Sequence, residues 1–96
     1  MIDLKYAEML RNAVSNADLS LAQISRRLKQ HGFNTDKAYL SRLQNGKIAP
    51  ASDVLNEALA EVLNIDPVEL KAAAYREKIP ADVLEKLQAH PKATSA

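Results

Sequence analysis

The chain has 96 residues, 47% of them apolar but only 4% aromatic and none tryptophan, enough for one small core built from Leu, Val, Ile and Ala. It holds no cysteine, which excludes a disulfide framework, a thiolate metal site and a cysteine nucleophile together. No apolar run approaches the ~18 residues of a membrane span and no basic leader follows Met1, so the expected address is the cytoplasm.

Apolar residues recur at three- and four-residue spacing along the whole chain, which predicts an all-α, compact bundle of five to six short helices. A first helix is expected from about Leu4 to Asn16, with Tyr6, Leu10, Ala13 and Val14 on one side. Ser20, followed three residues later by Gln23, reads as a capping box for a second helix. That helix turns Leu21, Ile24 and Leu28 inward and Arg26, Arg27 and Lys29 outward, and Gly32 offers the left-handed conformation that closes it. Thr35 or Asp36 can cap a third helix anchored by Leu40 and Leu43, and Asn45-Gly46 ends it with two residues that tolerate positive φ. Ser52 opens a fourth helix with Val54, Leu55, Ala58, Leu59 and Val62 as its buried stripe. Asp66-Pro67 with Glu69 starts a fifth that runs to about Lys78, where Ile79-Pro80 breaks it. A sixth, from Pro80 to about Gln88, carries Val83, Leu84 and Leu87. The expected division is a domain over 1–78, a C-terminal helix over 79–89 and a disordered tail over 90–96.

The net charge of +1 hides a split. Residues 26 to 47 carry six cations against the one acid Asp36, +5, whereas residues 53 to 88 carry eight acids against four bases, −4. Two short capped helices joined by a polar connection, then a sharp exit into another amphipathic helix, form the middle of the chain. With "LSLAQISRRL", "YLSRLQNGKIAP" and "LNEALAEVLNIDPVEL" in hand, the run from about Leu10 to Leu70 resembles the helix-turn-helix domain of the Cro/CI-like (XRE) repressor family. The resemblance implies a lambda-repressor-like fold and a sequence-specific transcriptional regulator, in the manner of a repressor, that inserts residues 36–44 into the major groove of double-stranded DNA.

On that reading Lys37, Ala38, Tyr39 and Ser41 stand at base edges: lysine donates to guanine O6 and N7, and the alanine methyl suits a thymine methyl. Ser20, Arg26, Arg27, Arg42, Asn45 and Lys47 stand at phosphates, Ser20 through the free amides of a helix N-terminus. Each residue has a plainer role beside it. Arg42 suits a helix C-terminus and an ion pair with Glu8 or Glu61. Tyr39 suits packing against the second helix, Ser20 a plain cap, Asn45 a positive-φ turn, and Arg26, Arg27 and Lys29 a solvated face.

Two features depart from the family pattern. Between Leu28 and Asp36 the chain has roughly five residues more than a tight helix-turn-helix turn needs, which must lengthen the second helix, loosen the turn, or both, with Phe33 placed to pin it. Leu21 also stands where many relatives carry a glutamine that bonds to phosphate. Catalysis finds no foothold: His31 and His90 lie far apart, no HExxH, Gly-rich phosphate loop or serine elbow occurs, and Glu57 and Glu61 read as an exposed helix face. No cofactor, metal or small-molecule ligand is implied. The rival reading is a protein-interaction module on the same fold, antitoxin-like or a dimerisation domain, since fold does not fix function. On the DNA-binding reading, the stripe of Ile79, Val83, Leu84 and Leu87 is a homodimer seam or a cover on the core.

Overall fold

The computed structural model describes residues 5–78 together with Val83 and Lys86. Five helices follow one another, α1 (Tyr6–Ala17), α2 (Leu21–Gln30), α3 (Lys37–Gln44), α4 (Asp53–Leu63) and α5 (Pro67–Lys78), and no strand occurs among the described residues. The helix starts are chemical. Ser20 Oγ accepts from Gln23 N–H at 3.1 Å while the Gln23 side chain accepts from Ser20 N–H at 2.8 Å, a complete capping box. Asp36 accepts from Tyr39 N–H at 2.7 Å, Ser52 from Leu55 N–H at 3.4 Å, and Asp66 from Val68 N–H at 2.9 Å ahead of Pro67. α1 has no such local cap. Its Tyr6 N–H donates instead to the Glu77 carboxylate at 2.7 Å, so the far end of α5 puts a negative charge on the positive end of α1.

The helix ends repeat one device. Phe33 N–H bonds back to Leu28 O across Gly32 (φ 90°), Lys47 N–H to Arg42 O across Gly46 (φ 69°), and Ile65 N–H to Ala60 O across Asn64 (φ 57°). The expectation that Asn45 shares the positive φ is wrong: its φ is −99°. Only the residue after the cap must turn left-handed, and Gly46 supplies it. Asn45 instead directs its side-chain amide at Ser41 Oγ, 3.4 Å away.

Tyr6, Leu10, Ile24, Leu28, Leu43, Leu59 and Leu70 are the large apolar side chains sealed in the core, with Leu40 beside them. α4 packs on α1, α2 and α5, and six of its eleven residues are buried: Leu55, Asn56, Ala58, Leu59, Ala60 and Leu63. Two expectations for α4 need correction. Val54 is 62% exposed, because its neighbours at helical spacing, Glu57 and Glu61, form the outer face; Val62 is only half-buried. Asn56 is fully buried, its amide donating to Ala51 O at 3.0 Å and its carbonyl accepting from the Tyr6 hydroxyl at 2.6 Å. Ile79, Leu84, Leu87, the sixth helix as a unit and the 90–96 tail lie outside the described residues, while Val83 and Lys86 have helical backbone and Val83 is exposed.

Because α3 is only eight residues long and its first-turn amides depend on one carboxylate, Asp36→Ala should lower stability by about 0.5–2 kcal/mol. Urea unfolding reads this directly, and an unshifted midpoint would show that α3 is held by Leu40 and Leu43 alone.

Candidate nucleic-acid interface

α3 packs its inner side on α1 and α2 through Leu40 (2% exposed) and Leu43 (0%). Around the rest of the helix, Lys37 and Ser41 lie one turn apart on one flank, Tyr39 and Arg42 one turn apart on the other, and Ala38 between them. Lys37, Ala38 and Arg42 are exposed, Ser41 and Tyr39 half-buried, and beyond the helix Asn45 and Lys47 are exposed. Tyr39 packs partly against the core, and that burial pushes its hydroxyl pKa up.

The additional residues between the two helices go into the connection, not into a longer α2: α2 stops at Gln30 and α3 starts at Lys37, leaving residues 31–36. The connection is nonetheless pinned. Gly32 and Phe33 close α2, Phe33 packs against the core, and Ser25 Oγ donates to Thr35 O at 2.5 Å. Leu21 is half-buried against the core, which is the use an apolar side chain has there.

Arg26, Arg27, Lys29, Lys37, Arg42 and Lys47 are all exposed. Among the described residues Lys71 pairs with Glu57 (3.1 Å) and the His31 ring lies 3.8 Å from the Glu61 carboxylate, so none of those six cations is neutralised by a neighbour there. The partners considered for Arg42 therefore fall away: Glu61 faces His31, and Glu8 makes no ion pair among the described residues. The six cations do not share one face. Ser25, bonded to the connection, marks the α3 flank of α2, and Lys29 lies one turn beyond it. Arg27 is on the opposite flank, lining an open groove of about 510 Å³ with Ala17 and Leu19 around the end of α1 and Val62 and Ile65 around the end of α4.

One residue that sequence reasoning missed belongs here. Arg11 of α1 donates to Gln44 O at 3.5 Å, placing a cation at the carbonyl end of α3 beside Asn45 and Lys47. Nothing local marks it, since its partner is 33 residues away. On α4 and α5 the character changes to acids and exposed apolar side chains. Tyr75 donates to Asp53 at 2.6 Å, and Val54, Val68 and Tyr75 are all at least half exposed. No group of three His, Asp or Glu able to hold a metal occurs among the described residues, and no helix there is long and apolar enough to cross a membrane. The chain matches no family model, no curated protein and no solved structure.

Proposed function

We propose that this chain is a sequence-specific DNA-binding regulator of the helix-turn-helix kind, similar to the Cro/CI-like (XRE) repressors and acting in the cytoplasm, with α3 as the helix that enters the major groove. The observation that carries the reading is α3 itself. A helix eight residues long is anchored by two sealed leucines and turns outward Lys37, Ala38, Ser41 and Arg42, none of them committed to an ion pair among the described residues. Unpaired cations on and around such a helix are what phosphate contacts require, and a polar outer face is what base edges require. Ser20, Arg26, Lys29, Arg42, Asn45 and Lys47 are the phosphate set, with Lys37, Ala38 and Ser41 toward the bases. A dimer on paired half-sites, seamed by Ile79, Val83, Leu84 and Leu87, belongs to the same proposal.

Fluorescence anisotropy of a random-sequence duplex, titrated at several salt concentrations, tests it without knowledge of an operator. Phosphate contacts predict weak binding whose logarithm falls steeply with the logarithm of salt. The two flanks of α2 sharpen the expectation. Lys29→Ala should lower that slope by about one unit, and Arg27→Ala, whose side chain lies in the groove beside α4, should leave it unchanged. Equal effects of the two substitutions would place the DNA differently.

The second reading, a protein-interaction module, is favoured by the exposed Val54, Val68 and Tyr75 on the α4–α5 face. Its signature is absence of duplex binding at low salt, together with loss of a partner when Tyr75 becomes Glu.

A further inference from the structure

The connection between α2 and α3 borders a small concavity on one flank of α3. Asn34, Thr35 and Asp36 from the connection and Tyr39 and Arg42 from the helix surround about 210 Å³, several times the ~30 Å³ of a water molecule. Its donors suit an anion. Arg42 is exposed and meets no carboxylate within ion-pair distance among the described residues, and a guanidinium presents two parallel N–H groups to a phosphate. Tyr39 contributes a phenolic O–H donor. Asn34 is exposed, and its side-chain amide supplies two N–H donors. The one acid present, Asp36, is engaged as the cap of α3, where it accepts the Tyr39 N–H at 2.7 Å and offsets the positive end of the helix.

We infer that this concavity seats a backbone phosphate of DNA, with Arg42 and Tyr39 as donors and Asn34 as the contribution of the lengthened connection. The inference rests on the DNA-binding reading above. It moves Tyr39 from the base edges to the backbone. It also accounts for the six residues between α2 and α3, which carry a donor to a phosphate flanking α3 that a tight turn would not reach.

The test uses the full chain with two variants. Asn34→Ala/Arg42→Gln changes exposed side chains only, and Tyr39→Phe removes only a hydroxyl, so thermal melts matching the native chain are expected for both. In salt titrations on a random-sequence duplex, the double variant should lower the slope by about one unit, and Tyr39→Phe should weaken binding to all sequences alike. Native binding with an unchanged slope in the double variant overturns the seat and leaves the DNA reading standing. No duplex binding by the native chain overturns both. Inorganic phosphate distinguishes the remaining source: if it moves the side-chain NMR signals of Asn34 and Arg42 while the double variant binds duplex normally, the seat belongs to a free phosphate and the inference fails.

Discussion

Asn56→Ala is expected to destabilise the bundle by about 2–4 kcal/mol, a large share of what a domain of this size has. The side chain is fully buried and serves two partners from different parts of the chain. Its carbonyl accepts from the Tyr6 hydroxyl at the start of α1, and its amide donates to Ala51 O just ahead of α4. Alanine removes both bonds, and the hydroxyl and carbonyl left behind stay buried without water, which makes the loss exceed that of an exposed hydrogen bond. Urea unfolding of Asn56→Ala, Tyr6→Phe and the double variant separates the pair interaction from the cavity. Coupling predicts a double variant much less destabilised than the sum of the singles. Additive losses, or a loss under about 1 kcal/mol for Asn56→Ala, would show that the pair does not hold α1 to α4.

The same pair gives a pH dependence with a definite sign. Burial raises the Tyr6 pKa, a backbone hydrogen bond from Ala51 offsets part of the rise, and Tyr39 and Glu77 push it up again. The folded state therefore holds this proton more tightly than the unfolded chain. Its contribution is fully present below the unfolded value of ~10 and is lost as pH rises through the higher folded value. The urea midpoint should accordingly fall above pH ~10, and fall less steeply in Tyr6→Phe.

What could be read from the sequence divides by range. Ser20 with Gln23, Asp36, Ser52 and Asp66-Pro67 act within three residues of themselves, so the helix starts they make are visible in the string, as are the two glycines that close α2 and α3. Asn56 looks like the polar side of an amphipathic helix because its partners lie five and fifty residues away. Val54 looks like core for the converse reason: α4 touches three helices, its buried arc is wide, and helical spacing does not say where such an arc is centred. The candidate interface shows the same boundary. The residue types of α3, polar outside and leucine inside, are legible, whereas the separation of Arg27 from Lys29 follows from which neighbour each flank of α2 meets. Tyr39 and Arg42 become neighbours of Asn34 only through the path of the connection.

On the proposed DNA-binding reading, Lys37 is the residue on which sequence-specific recognition should depend most. It is the first residue of α3, exposed, and in no ion pair among the described residues. A cation at the positive end of a helix is locally unfavourable, and alanine is the better helix former, so Lys37→Ala should fold at least as stably as the native chain. A loss of binding in this variant is therefore a loss of contact and not of structure. If Lys37 donates to guanine O6 and N7, its removal should weaken a selected site by about 1–3 kcal/mol and flatten discrimination at that one base pair. Random-sequence duplex, which offers phosphates but no fixed guanine, should lose much less. Anisotropy on a selected site and on variants of it substituted at each guanine reads all three quantities. A preference unchanged by the substitution would remove Lys37 from base recognition and leave Ser41, one turn along the same flank, as the side chain to replace next.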